Sequence, residues 1–141
     1  MKFYISITGL DLIAFYHAPK FWMHAIPSMT QARSSEGNIS ADGNTIQGTH
    51  HTLSVWKDRN SMLNYLRKGS HGKAMKIFDD IATGKVYGYE SDTIPTWKEA
   101  RELYDKHGRV IGKAARDAKR KQQEQKAEQN LDNKTSIEQS S

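Results

Sequence analysis

Apolar and polar side chains alternate over the first residues of the chain. Phe3, Ile5 and Ile7 fall on one side, and the residues between them fall on the other. A repeat of two residues is the pattern of a strand with one buried face. The sequence therefore predicts a strand over residues 2–8, which Gly9 ends.

The next regular pattern has the spacing of a helix. Trp22, Ile26 and Met29 lie at positions i, i+4 and i+7, and Arg33 continues the same line. This spacing predicts an amphipathic helix over about residues 21–34, with the Trp22 face turned towards the core.

Two strands and a turn follow in residues 38–56. The Asp-Gly-Asn run at 42–44 has the composition of a turn, so we expect the hairpin to reverse there. In the second strand, over 50–56, Leu53 and Val55 face one side and alternate with residues that face the other side. Val and Thr favour strands, which makes this second strand the clearer of the two.

A helical segment and a last strand complete the repeating part of the pattern. Ala74, Ile77, Phe78 and Ile81 recur at helical spacing after a short helical piece that Gly69 interrupts. The run Lys-Val-Tyr-Gly-Tyr-Glu-Ser that follows is typical of a strand.

A capping box then marks the start of one more helix. Thr96 and Glu99 have the spacing at which each side chain caps the other's backbone, and Pro95 stands just ahead. After Gly108 the chain becomes rich in Lys, Arg, Gln, Glu and Ala, without an apolar stripe. We expect a folded body over residues 1–108 and a tail over 109–141 that is partly helical and ends disordered.

The predicted order is strand, helix, strand, strand, helix, strand. That is the order of a ferredoxin-like α+β fold with an antiparallel sheet, and its helices cover one face of the sheet. Tyr4, Trp56 and Tyr87 or Tyr89 are expected on the other face, which would be poorly placed in water. A second copy of the sheet would cover it, so the sequence predicts a homodimer.

The charge of the chain is uneven. Its net charge is +5, and residues 109–141 hold eight Lys or Arg and five Asp or Glu, which is +3. Residues 1–108 are left with +2, so the body is close to neutral and is not expected to bind nucleic acid.

The chain contains no cysteine, which excludes disulfides and thiolate metal sites. This fits a cytoplasmic protein. No run of apolar residues approaches the roughly 18 needed to cross a bilayer. The histidine spacing does not indicate a zinc site either.

His71 is the most interesting single candidate for chemistry. It lies three and seven residues before Ala74 and Phe78, on or beside the buried stripe in the first turn of its helix. The helix dipole disfavours its protonation there, so a neutral imidazole could ligate a haem iron, accept a proton or orient a substrate. The alternative is a capping or hydrogen-bonded core histidine.

Further residues could line a pocket between the sheet and the helices. They are large, mostly apolar side chains that would suit a flat or aliphatic ligand, or equally an ordinary core: Trp22, Met29, Trp56, Tyr65 and Phe78. Adjacent strand residues face opposite sides, so one of His50 and His51 can face the pocket, and we assign His51. Arg33 could pair with a ligand carboxylate or phenolate, or form a surface salt bridge.

Several of these stretches resemble a known superfamily. Residues 52–56, Thr-Leu-Ser-Val-Trp, followed by a turn, a helix and then Gly69-Ser70-His71, resemble the dimeric α/β-barrel superfamily. That group includes antibiotic-biosynthesis monooxygenases and haem-degrading monooxygenases. The run Ser-Met-Thr-Gln-Ala-Arg at 28–33, followed by Gly37, resembles the spheroidene-monooxygenase-like branch.

The resemblance covers about residues 1–108 and implies oxygen-dependent oxidation of a hydrophobic, aromatic or polyene molecule. Some members use haem and others use no cofactor, so both remain open here. In the haem-degrading branch, a helix Trp matches Tyr65 and the axial His matches Met75, so haem ligation would require His71 or His51 instead. The alternative is a non-catalytic ligand-binding or interaction module with the same fold.

Overall fold

A computed structural model describes residues 2–139 of the chain, apart from the side chains of residues 69–71 and 114. One antiparallel sheet forms the centre, with its strands in the order β2-β3-β1-β4-β5. The first four strands are arranged as in a ferredoxin-like fold, so the predicted α+β fold is confirmed. The strands are β1 Phe3–Leu12, β2 Asn38–Ile46, β3 Thr49–Trp56, β4 Ala82–Ser91 and β5 Arg109–Ile111.

Helices lie on both faces of this sheet. The first three pack on one face and the fourth packs on the other. No helix in the described part of the chain is long and apolar enough to cross a membrane. The helices are α1 Ala18–Arg33, α2 Arg59–Leu66, α3 Gly69–Ile81, α4 Trp97–His107 and α5 Lys113–Gln139, and a short 3-10 turn, Phe15–His17, precedes α1.

The buried face of α1 differs by one residue from the prediction. Its buried residues are Phe21, Ala25, Ser28 and Ala32, whereas Ile26 is 58% exposed. Phe21 and Trp22 are neighbouring aromatic residues, so the sequence fits two phases of the helix almost equally. In the observed orientation of α1, Phe21 packs on α3, and the ring centroids of Phe21 and Phe78 are 5.1 Å apart.

The hairpin turn also lies elsewhere than predicted. β2 continues through residues 42–44, and the chain reverses at Gln47 and Gly48, whose φ angles are +50° and +81°. Positive φ at both central residues is what a two-residue type I′ hairpin turn requires. The Asp-Gly-Asn run is tolerated inside β2 because β2 is an edge strand, which pairs with one neighbouring strand only.

The sheet has no uncovered face of the kind predicted. Tyr4 and Trp56 point towards α1 and α2, where they pack with Tyr65. The opposite face holds Tyr87 and Tyr89, and α4 covers its centre. The uncovered-face argument for a homodimer therefore fails for Tyr4 and Trp56, and the homodimer stays a prediction.

The covered centre of this second face is a compact apolar cluster. Ile5 and Ile7 of β1 pack with Leu53 and Val55 of β3 beneath Ala100 and Tyr104 of α4. The capping box that begins α4 is present as predicted: Thr96 Oγ1 accepts from the Glu99 N–H at 3.2 Å, and Glu99 Oε1 accepts from the Thr96 N–H at 3.4 Å.

The segment after Gly108 is more regular than predicted. Residues 109–111 add a fifth strand to the sheet, and α5 then extends to Gln139. Its many Ala, Lys, Arg, Gln and Glu residues favour a helix without tertiary contacts. Asp79 accepts from the Lys113 N–H at 3.2 Å and pairs with Arg116 at 3.0 Å, which ties the start of α5 to the body.

Candidate functional site

A cavity of about 100 Å³ lies between the sheet and helices α1, α2 and α3. Its roof is formed by side chains of the three helices, mostly apolar, and its floor by side chains of β1 and β3. The floor residues on β3 are His50, Thr52, Ser54 and Trp56, which alternate with residues that face α4.

Five of the predicted pocket residues line this cavity together. They come from α1, β3, α2 and α3, and they are Trp22, Met29, Trp56, Tyr65 and Phe78. The Trp56 and Tyr65 rings stack with centroids 5.4 Å apart, and the Tyr65 hydroxyl donates to the Ser28 carbonyl at 2.9 Å. Burial raises the pKa of Tyr65, so its hydroxyl stays protonated and serves as a donor.

His51 borders the cavity, but its imidazole lies on the opposite face of the sheet. The residue is 3% exposed, and its ring packs edge-on against Tyr104 of α4, with centroids 4.7 Å apart. Nδ1 is 3.2 Å from the Thr8 carbonyl oxygen, and Nε2 is 2.9 Å from Arg101 Nη1.

These partners determine the tautomer of His51. A carbonyl only accepts and a guanidinium only donates, so Nδ1 holds the proton and Nε2 accepts. Burial lowers the pKa of His51, and the charge of Arg101 lowers it further. The sequence-based assignment of His51 to substrate binding is therefore not supported, since its imidazole is a buried link between β3 and α4.

His50 is the histidine that faces the helices above the cavity. Its ring stacks on Phe21 with centroids 4.9 Å apart and meets Trp22 edge-on at 5.2 Å. Nδ1 bonds the Thr45 hydroxyl at 2.8 Å. Desolvation lowers the pKa of His50, against the opposing charge of Asp11, so the imidazole is neutral at neutral pH.

Arg33 does not border the cavity. Its Nε donates to the Ala41 carbonyl at 2.8 Å, its Nη2 lies 4.0 Å from the Asp42 carboxylate, and its side chain is 53% exposed. At this end of α1 the buried residue is Ala32, so the Arg33 side chain extends to the edge strand β2 instead of the cavity.

His71 lies in the first turn of α3, but its side chain is outside the described residues. Its predicted role therefore stays a prediction. Met75, one helical turn later, does line the cavity.

Haem does not fit the cavity as it stands. About 100 Å³ is well below the roughly 300–1,000 Å³ of sites for drug-sized ligands, and a macrocycle is larger still. Tyr65 and Met75 both line the cavity. Among the described residues, no group of three or more His, Cys, Asp or Glu side chains could hold a metal ion.

Two parts of this site were missed at the sequence level. Sequence reasoning considered His50 only as the alternative to His51, and it assigned no role to the floor hydroxyls of Ser6, Thr8, Thr52 and Ser54. The available signal was that Thr52 and Ser54 alternate onto the same strand face as Trp56, a residue type that is mostly buried.

Comparison with known proteins adds information on the fold. No family model matches the chain, and no curated protein matches it. Solved structures do match. SnoaB, a cofactor-independent oxygenase from Streptomyces nogalater, is 9% identical with a TM-score of 0.58, over 68% of this chain and 100% of SnoaB.

Two further solved structures are similar to the same extent. A Deinococcus radiodurans protein described as a candidate antibiotic biosynthesis monooxygenase is 15% identical with a TM-score of 0.59, over 66% of this chain and 96% of that protein. A conserved Bacteroides thetaiotaomicron protein described as a possible oxidoreductase is 12% identical with a TM-score of 0.59, over 64% and 98%. At these identities the likeness concerns the fold alone, and the chain shares the ferredoxin-like α+β fold of these solved structures.

Proposed function

We propose that the protein binds a small hydrophobic molecule in the cavity beneath α1–α3 and oxidises it with molecular oxygen. The observation that supports this most directly is the neutral imidazole of His50, held against Phe21 and Trp22 at an apolar cavity. SnoaB, which has a similar fold, is a cofactor-independent oxygenase. The cavity volume favours an aromatic ligand over an extended polyene.

His50 would act as the general base in this reaction. A neutral imidazole can take a proton from an activated C–H or O–H of the ligand, and the resulting anion can reduce oxygen. Conversion of a CH₂ group to a carbonyl would consume one O₂ and release one water, so no further reductant is needed. The apolar roof would keep bulk water from the anion.

The proposal gives different roles to the two residues, His71 and Arg33, that the sequence analysis singled out for chemistry. His71 lies one helical turn before Met75, so it is a second candidate for the base. For Arg33 we propose a structural role, because its contacts with Ala41 and Asp42 hold α1 against β2.

Ligand binding can be tested through the methionine methyl groups. Met29, Met62 and Met75 line the cavity, whereas Met23 is 64% exposed on α1 and serves as an internal control. We expect titration with benzene to shift the ¹³C-methyl NMR signals of the three cavity methionines and to leave Met23 unchanged. Equal shifts at Met23, or none anywhere, would contradict binding in the cavity.

Oxidation needs a separate measurement. We expect oxygen uptake with at least one member of a panel of single-ring aromatic compounds, with one ketone or quinone formed for each O₂ consumed. His50→Gln should slow uptake about a hundredfold, in the range general bases contribute, and should leave the methionine shifts in place. Unchanged uptake in His50→Gln would remove this residue from the mechanism and direct the same test to His71→Gln.

The alternative is a non-catalytic module that binds a ligand without oxidising it. The volume does not separate the two versions, because both bind the ligand in the same cavity of about 100 Å³. Methionine shifts without oxygen uptake across the panel would support the module over the enzyme.

We also propose three finer assignments on sequence grounds. Membership of the spheroidene-monooxygenase-like branch rests on residues 28–33 and Gly37. A cytoplasmic location rests on the absence of cysteine, and a homodimer rests on the superfamily resemblance together with the half-buried Tyr87 and Tyr89.

A further inference from the structure

The floor of the cavity contains a block of four hydroxyl residues. In the β1–β3 ladder, Ser6 stands opposite Ser54 and Thr8 opposite Thr52, and all four line the cavity. Directly opposite residues of antiparallel strands are close neighbours, so the four hydroxyls form one polar area in an otherwise largely apolar enclosure.

Most of these hydroxyls lack a protein partner. Ser54 Oγ accepts from the Trp56 indole at 2.9 Å, whereas the hydroxyls of Ser6, Thr8 and Thr52 make no hydrogen bond with any described residue. These three hydroxyl oxygens are also not fully buried. Among the described residues, the one fully buried side-chain polar atom without a hydrogen-bond partner is Gln31 Oε1. Hydroxyls that face a cavity without protein partners are expected to bond its contents.

The lack of charge in the cavity lining restricts the ligand further. Among the described side chains, no Asp, Glu, Lys or Arg lines the cavity, and the His50 imidazole that faces it is neutral at neutral pH. An ionised ligand would therefore enter without a counter-charge, which is strongly unfavourable. The volume of about 100 Å³ limits the ligand to a molecule no larger than about one six-membered ring.

We propose that the cavity selects a neutral, single-ring molecule with one hydroxyl or carbonyl oxygen, and that this oxygen bonds the Thr8 and Thr52 hydroxyls. The ring would lie between this floor and the roof residues Phe21, Met75 and Phe78. This inference rests on the proposed function, in that the cavity must bind a small molecule, and it adds which chemical group the floor recognises.

Phenol and benzene test it as a matched pair, with the cavity methionine methyl signals as the readout. In the natural protein, phenol should bind at least tenfold more tightly than benzene. Thr8→Val and Thr52→Val remove a hydroxyl at nearly constant volume, and each should weaken phenol binding about five- to tenfold while benzene binding stays within twofold. Thr83→Val makes the same change on the exposed part of β4 and should alter neither affinity.

The outcomes separate this inference from the proposed function. If benzene binds as tightly as phenol, or if both Val variants leave phenol binding unchanged, the hydroxyl floor does not select the ligand, although the cavity remains a binding site. If neither probe binds, the proposed function fails as well. Should Thr52→Val not fold, Thr52→Ser against Thr52→Ala gives the same comparison, with the phenol preference kept in the first and lost in the second.

Discussion

Arg101 of α4 joins this helix to the β2–β3 hairpin, and its removal tests how the second face of the sheet is held. The side chain is 19% exposed. Its Nη1 donates to the Ile46 carbonyl at 3.0 Å and to His51 Nε2 at 2.9 Å, and its Nε bonds Asp105 at 3.1 Å. Arg101→Met removes all the donors and keeps most of the aliphatic stem.

The expected loss follows from these contacts. Hydrogen bonds that involve a charged group contribute about 1.5–3 kcal/mol each, and the variant loses one to Ile46 and one to His51, whose Nε2 is left buried without a donor. Asp105 is 57% exposed, so its ion pair adds little. With allowance for relaxation, we expect the free energy of unfolding to fall by about 3 kcal/mol, a large part of the 5–15 kcal/mol of a typical domain.

Urea denaturation at pH 7.5 measures this loss, and Arg116→Met is the matched control. Arg116 also pairs with an aspartate, Asp79, but its side chain is 67% exposed, so its removal should cost less than about 1 kcal/mol. Equal losses in the two variants would refute the argument that the buried link to His51 matters more than a surface ion pair.

The same link makes stability depend on pH. The charged and hydrogen-bonding groups that act on the pKa of His51 are Arg101 and Asp105 of α4, and Thr8 and Asp11 of β1. Because burial depresses the pKa of His51 in the folded state, unfolding takes up a proton below about pH 6.5. The stabilisation is thus present above that pH and is lost as the pH falls towards the folded pKa, by at most about 1.4 kcal/mol per pH unit for one proton.

Arg101→Met should make this dependence shallower, because the cation that opposes protonation of His51 is gone. His50 contributes to both proteins in the same direction, so the difference between their slopes between pH 7 and pH 5 is the quantity to compare. Identical slopes would show that Arg101 does not set the pKa of His51.

Three further predictions concern other parts of the molecule. Thr96→Ala should lower the free energy of unfolding by about 1 kcal/mol in urea denaturation, because the capping box of α4 is lost, and an unchanged midpoint would contradict this. Gly48→Ala should cost about 1 kcal/mol, since φ is +81° at this turn, whereas a neutral effect would show that the turn adapts. Sedimentation velocity should show a homodimer that Tyr89→Arg converts to monomer, and a monomeric natural protein would refute the dimer.

Elements with one dominant signal were predictable from the sequence. The alternation through Val55 predicted which residues of β3 lie on each face of the strand. The capping box at Thr96 predicted where α4 begins, and the Ala74–Ile81 spacing predicted the buried side of α3. Each of these patterns is local and has one good interpretation, so tertiary packing did not alter it.

The errors arose where two interpretations were nearly equal. Phe21 and Trp22 allow two phases of α1, and only packing on α3 separates them. His50 and His51 lie on opposite faces of a strand that helices cover on both sides, so alternation alone does not show which face holds the cavity. The placement of α4 on the second face is a long-range contact that no local pattern encodes.

The small residues that α1 presents to the sheet have an energetic consequence. Ala25, Ser28 and Ala32 all border the cavity, and none of them is large enough to fill it. A void of about 100 Å³ lowers stability by about 2 kcal/mol at roughly 24 cal/mol per Å³. One leucine at position 25 or 28 would occupy the space and recover part of that loss, so the small residues of α1 at this cavity lower the stability of the fold.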